Sequence, residues 1–246
     1  SVWTQTGKIV SPEPETSGYF GSSVSLNSDA SICIVSAYGL DSSGILNAGV
    51  VYIYTRSGDV WTYQQKLTES PLSENNGFGI GLSLSPDSSI LAINSKGNQL
   101  TPTGQGRVYL YRRAGTTYGL FKTIYAKYPS EGNQFGRSIA LSYDGSFMLV
   151  GEEYNDIKAN NVGSVVFFST RELDYADTNP SKFIQRYKIV PNRADSAASM
   201  NFGRQVDISS DGTKMLVFTP HKYHSANKIG EVFYFEKVNG LSLIHI

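Results

Sequence analysis

A chain of 246 residues has room for one or two domains and a sizeable core. Its 21 basic and 21 acidic residues cancel and only 17% of residues are charged, so there is no basic stripe for nucleic acid and no acidic tail. No apolar run approaches the roughly 18 residues of a membrane span, and a single cysteine, Cys33, cannot form an internal disulfide and reads as a small buried hydrophobe.

The chain opens with SVWTQTGKIV, which returns as VWTYQQKLT at residues 60–68. Phe20-Gly21 then heads a longer pattern. Ser22 to Leu26 alternates small or polar with apolar residues, the mark of a short half-buried strand. Asp29 stands in a turn, and Ile32 to Ser36 is a nearly continuous apolar run, as expected of a strand covered on both faces. After a loop of about ten residues, Gly49 opens VVYIY, whose alternation puts rings on one face of a sheet. Ser57-Gly58 turns the chain into a more polar strand, Trp61-TYQQKL.

The pattern returns three times. Phe78-Gly79, Phe135-Gly136 and Phe202-Gly203 head it, and Asp87, Asp144 and Asp211 stand nine residues after each Phe, as Asp29 does. Gly106-RVYLY, Gly163-SVVFF and Gly230-EVFYF supply the third strands; Tyr118-GLFKTI and Phe183-IQRYKI supply fourth strands, with an insertion at about 172–182 in repeat three. The repeats span approximately 18–68, 75–126, 132–190 and 199–246 and run without a linker, so 1–246 reads as one domain. Four antiparallel strands in a unit of about 57 residues predict an all-β propeller of four blades, either a small ring or part of a larger one. The glycine of each Phe-Gly pair is expected to admit a neighbouring blade, with the Phe wedged between sheets.

The two ends differ from the interior. Trp3 precedes Phe20 by the same 17 residues that separate Trp61 from Phe78, so residues 1–10 read as an outer strand of a preceding or closing blade. The last six residues, LSLIHI, take the place of a fourth strand without matching its pattern. Three arrangements are open: part of a longer ring, a small ring closed by the N-terminal strand, or docking of that strand on a neighbouring molecule to give a polymer. Ser1 in place of an initiating Met reads as a processed or partial chain.

FGSSVSLNSDA, ICIVS, GVVYIY and WTYQQKL, in that order, resemble the FG-GAP repeat, the unit of the integrin alpha-subunit propeller and of many bacterial, phage and viral surface proteins. The resemblance covers essentially the whole chain. It implies a β-propeller, an extracellular, cell-surface or virion-surface setting and an adhesive or structural role. The Gly-Ala-Pro element of the family is replaced by Ser36-Ala37-Tyr38, Asn94-Ser95-Lys96, Gly151-Glu152-Glu153 and Phe218-Thr219-Pro220. A calcium loop needs several Asp or Asn oxygens at alternate positions. The hairpin Asp of each repeat stands alone, so it is expected to be a turn residue and no metal or other cofactor is expected.

No set of residues adds up to a catalytic site. His221 and His224 flank Tyr223 in the expected loop between the second and third strands of repeat four, but a metal needs a further ligand. Glu152, Glu153 and Asp156 fall in the equivalent loop of repeat three, where adjacent carboxylates point to opposite faces and an exposed charged loop is expected. Gly-x-Ser-x-Gly elbows and phosphate loops are absent, and Arg137 and Arg204, after Phe-Gly, read as repeat residues. Tyr38, Asp41, Gln99, Tyr154 and Tyr223 are expected on one rim, where a rigid frame presents loops for binding. The sequence therefore predicts a non-enzymatic structural or adhesion propeller whose partner is a protein or another copy of itself. A lectin-like module that binds glycan, or a non-catalytic domain of a larger enzyme, is the alternative.

Overall fold

A computed structural model describes residues 2–96, 106–126, 134–155, 161–170, 183–192, 199–224 and 227–237. Among them are fifteen strands and no helix, hence no helix long and apolar enough to cross a membrane. Blade 1 comprises β1 (Phe20–Leu26), β2 (Ile32–Ala37), β3 (Val50–Ser57) and β4 (Val60–Leu67). Blade 2 comprises β5 (Leu82–Leu84), β6 (Ile90–Ser95), β7 (Arg107–Ala114) and β8 (Thr117–Tyr125). Blade 3 comprises β9 (Phe135–Leu141), β10 (Phe147–Glu152), β11 (Ser164–Ser169) and β12 (Ile184–Ile189). Blade 4 comprises β13 (Gln205–Ile208), β14 (Lys214–His224) and β15 (Asn227–Glu236). Every sheet is a meander in chain order, antiparallel throughout. The first strands line a central cavity, so the four sheets form a four-bladed propeller with the first strand of each repeat innermost.

The turns between first and second strands are set by the recurring Asp. The Asp211 carboxylate accepts from the Thr213 amide (3.0 Å) and hydroxyl (2.9 Å) and from the Ser209 hydroxyl (2.6 Å). Asp87 and Asp144 make the same set with Ser85 and Ser89, and with Ser142 and Ser146, while Asp29 accepts from the Ser31 amide. These bonds hold the Asp211 carboxyl down at about 2 and lower that of Asp29. Adjacent turns are joined in series: the Ser28 amide donates to Pro86, Asp87 to Tyr143 and Tyr143 to Ser210.

Each blade has a leading face toward the blade before it and a trailing face toward the blade after it. Alternation along the strands assigns the residues. Ile32, Ile34, Val51 and Ile53 on the trailing face of blade 1 share a buried cluster with Phe78, Leu82, Leu84, Leu91 and Ile93 of blade 2. The same positions join blade 2 to blade 3, through Ile90, Ala92, Val108 and Leu110 against Phe135, Ile139 and Leu141. They join blade 3 to blade 4 through Leu149, Val165 and Phe167 against Phe202, Ile208 and Met215.

The Phe-Gly pair is the wedge at each joint. Phe78, Phe135 and Phe202 are at most 1% exposed. Gly79, Gly136 and Gly203 have φ near +90°, which excludes most side chains. A Cβ would also strike the preceding blade, at 2.7 Å from Val51 for Gly79, 2.7 Å from Asn94 for Gly136 and 2.5 Å from the Ser164 carbonyl for Gly203. On the other side of the joint, a Cβ on Gly49, Gly106 or Gly163 would collide with the backbone of Phe78, Phe135 or Phe202. Phe20 is only half-buried, and a Cβ on Gly21 would meet nothing within 4 Å.

Residues 2–10, expected as an outer strand, pair with no strand among the described residues. They run over the leading face of blade 1, where Ile9 packs on the cluster of Cys33, Val35, Val50, Tyr52 and Tyr54 with Phe20 and Trp61. Trp3 is fully exposed. The 172–182 insertion and LSLIHI lie outside the described residues.

Candidate functional site: the loop rim and the axial cavity

The loops between second and third strands and the linkers between blades gather on one side. Among the described residues there, three carboxylates are buried. Glu69, in the linker after β4, accepts from Tyr109 Oη (2.6 Å), Asn76 Nδ2 (2.7 Å) and Ser95 Oγ (3.0 Å), with Arg107 Nη1 at 3.3 Å. Glu152, at the end of β10, accepts from Ser164 Oγ (2.5 Å), Lys188 Nζ (2.7 Å) and Asn155 Nδ2 (3.3 Å). Glu153 accepts from Arg204 Nη1 and Asn201 Nδ2 (3.2 Å) at one oxygen, and Arg137 Nε forms an ion pair with the other at 3.3 Å. Adjacent residues at a strand end do point apart, as the sequence requires, but neither forms an exposed charged loop: Glu152 is 2% exposed and Glu153 is fully buried. Lys188 and Arg137 of the same blade and Arg204 of blade 4 supply the compensating charge, at separations in the chain that no local pattern reveals.

The two arginines after Phe-Gly thus have a joint role. Arg137 on β9 and Arg204 just before β13 hold Glu153 between blades 3 and 4. They also border the axial cavity, about 780 Å³, with Ser22, Ser138 and Tyr38. Tyr38 stacks on Tyr19 with ring centroids 5.0 Å apart and planes 6° from parallel. Arginine recurring at one repeat position in adjacent blades was the available sequence signal for this cluster. Burial raises the Tyr109 hydroxyl, which also donates to Glu69, above the usual phenol range. Burial raises Tyr54 and Tyr118 to about 12 and the Cys33 thiol to about 11.

Asp41 is half-buried and braces its own loop, accepting from the Asn47 amide (2.8 Å) while its amide donates to Glu15 (2.9 Å). Tyr154 is half-buried beside the buried glutamates. His221, Tyr223 and His224 lie on β14 rather than in a loop, Tyr223 paired with Lys228 and His224 with Asn227, because β14 and β15 extend into a long hairpin. Gln99 and Asp156 lie outside the described residues. No group of three His, Cys, Asp or Glu among the described residues is placed to hold a metal ion.

Comparison with known proteins agrees with this architecture. Residues 3–54 match the family model of the FG-GAP repeat. The later repeats share its Phe-Gly wedge, strand order and joints. Two solved structures are similar in fold. One is the mitotic checkpoint complex, at 12% identity over 88% of this chain and 50% of that one, TM-score 0.50. The other is a candidate 6-phosphogluconolactonase from Bacteroides uniformis, at 10% identity over 87% of this chain and 54% of that one, TM-score 0.51. The chain spans about half the length of these structures. Among curated proteins no match is found.

Proposed function

We propose that this FG-GAP-type propeller is a non-enzymatic structural and adhesion module of a cell or virion surface that binds a protein partner through its loop rim. The observation that supports this most is the fate of the charged groups on the loop side. Glu69, Glu152 and Glu153 are each consumed by partners within the chain, so they fix loops rather than offer acid, base or nucleophile. A rim so braced suits recognition by shape and polar contact. The FG-GAP match favours a surface setting, since repeats of this type are typical of extracellular and surface proteins.

The test is adhesion of the purified chain to immobilised extracellular matrix proteins and to intact cells. Saturable binding that is lost when Tyr38 and Asp41 are both replaced by Ala supports the reading. Turnover of a glycoside, ester or phosphoester substrate by the purified chain would overturn it. Glycan binding is the second reading, favoured by the Tyr19–Tyr38 stack beside the polar axial cavity. A glycan array separates the two.

A further inference from the structure

The residue after each Phe-Gly pair lines the axial cavity in all four blades: Ser22, Ile80, Arg137 and Arg204. Serine and isoleucine serve in blades 1 and 2, so the repeat itself does not ask for arginine there. At the position of Glu153, blades 1 and 2 carry Tyr38 and Lys96, and their joints to the next blade form without an acid at that place. Two arginines around one buried glutamate are therefore a local addition, set where blades 3 and 4 meet the cavity.

The cluster is not balanced. Glu153, fully buried, offers one negative charge to two guanidinium groups. Arg137 spends Nε on it and Arg204 spends Nη1, and their side chains remain 30% and 39% exposed. Nη1 and Nη2 of Arg137, and Nε and Nη2 of Arg204, have no partner among the described residues. The other charged group among the described lining residues is Asp207, whose Oδ1 accepts from the Ile208 amide (2.9 Å). It stands three residues beyond Arg204, about 10 Å further along the chain at strand rise. That exceeds the Debye length of about 8 Å in physiological salt, so Asp207 cancels little of the surplus charge.

We propose that the axial cavity binds a monoanionic carboxylate between Arg137 and Arg204, supplied by a small organic acid or by an acidic side chain of the protein partner. Charge selects the monoanion. One positive charge is left over, so a carboxylate neutralises the site, whereas a phosphate dianion exceeds it and is repelled by Glu153 behind. Geometry selects the carboxylate, since the planar edge of a guanidinium aims parallel N–H donors at its two oxygens. The remaining lining suits a short organic body. Ser23 Oγ and the Gln205 amide make no hydrogen bond within the described residues, and Ile80 adds an apolar wall. At about 780 Å³ the cavity falls in the range of small-molecule sites, roughly 300–1,000 Å³.

The experiment is an NMR titration of the whole chain at constant ionic strength, read at the Nε–Hε signals of Arg137 and Arg204. The probes are propionate, the peptide acetyl-Gly-Glu-Gly-amide, its Gln counterpart, and methyl phosphate at a pH where it is a dianion. Both carboxylates are expected to shift the two signals saturably, the Gln peptide to leave them unmoved, and methyl phosphate to bind at least ~10-fold more weakly than propionate. Arg137→Gln and Arg204→Gln should each weaken propionate at least ~10-fold, as loss of charge-assisted hydrogen bonds does. Arg204→Lys keeps the charge beside Glu153 but not the fork, so it should weaken binding in a folded chain even where a Gln variant fails to fold. A Glu peptide at least ~10-fold tighter than propionate assigns the site to a partner's side chain; equal affinities assign it to a free acid. No response to either carboxylate, methyl phosphate as tight as propionate, or propionate affinity unchanged in the arginine variants each overturns the proposal. The side-chain source rests on rim binding, whereas the free acid does not. Silent arginines with adhesion intact therefore sink this proposal alone, and a carboxylate response without adhesion sinks only the rim reading.

Discussion

The joint between blades 3 and 4 and the trailing face of blade 4 are the same surface in two conditions. Leu149 and Leu216 are the same residue at the same repeat position, one fully buried and the other 43% exposed. Val165 and Val232 form a second such pair, fully buried and 61% exposed. The strands are the same in kind, so local sequence does not decide burial; the presence of the next Phe-Gly wedge does. A blade is thus a sheet that cannot bury its own trailing face, and stability comes from joints rather than from blades.

The largest expected effect comes from removing a wedge. Phe135→Ala should cost about 3–5 kcal/mol of unfolding free energy, read from urea titration, because it empties a fully covered site between two sheets. Phe20→Ala, at a wedge that the described residues leave half-buried, should cost less than half as much. Equal losses would mean that the wedge serves its own blade alone.

Next in size is the ion cluster that locks blades 3 and 4. Glu153→Ala removes the buried carboxylate that Arg137 and Arg204 share and, because both guanidinium groups keep access to solvent, should cost about 2 kcal/mol. Loss of less than about 0.5 kcal/mol would show that water already serves these groups.

Gly106→Ala and Gly230→Ala compare the two conditions by steric means. The first puts a Cβ into the Phe135 backbone and should cost about 1–3 kcal/mol. The second meets the Phe218 ring at 3.3 Å, which can move, and should stay under about 1 kcal/mol in dilute protein. If the two agree, the joint at Gly106 is not close-packed.

The smallest effect is local and should be indifferent to the joints. Hydrogen bonds from Ser209 and Thr213 lower the Asp211 pKa from its ordinary value of 3.8 to about 2. A group whose folded value is depressed stabilises the fold above its unfolded value and loses that contribution as pH falls through the folded one. The contribution is therefore present above about pH 4 and disappears towards about pH 2. An NMR titration of the Asp211 carboxyl should show a midpoint near 2. A midpoint at the ordinary carboxylate value would mean that the turn bonds do not form in solution.

Much of this was legible in the sequence. Phe-Gly, the turn Asp and the glycine before the third strand recur at fixed spacing because every joint repeats one geometry. What escaped was whatever depends on a partner distant in the chain. Glu152 and Glu153 read as a charged loop because Lys188, Arg137 and Arg204 lie 36, 16 and 51 residues away in the chain and meet them only in the propeller. His221 and His224 read as loop residues because Pro220 and the small and polar residues near it suggest a turn, whereas pairing across β14 and β15 carries the strand past it. The N-terminal segment has the sequence of a strand but, beside blade 1 alone, no strand edge to pair with.

The most direct measurement is the paired urea denaturation of Leu149→Ala and Leu216→Ala at low protein concentration. If burial in a joint sets the worth of a repeat residue, the first loses about 2–5 kcal/mol and the second under about 1. Equal losses from the two leucines would contradict that account.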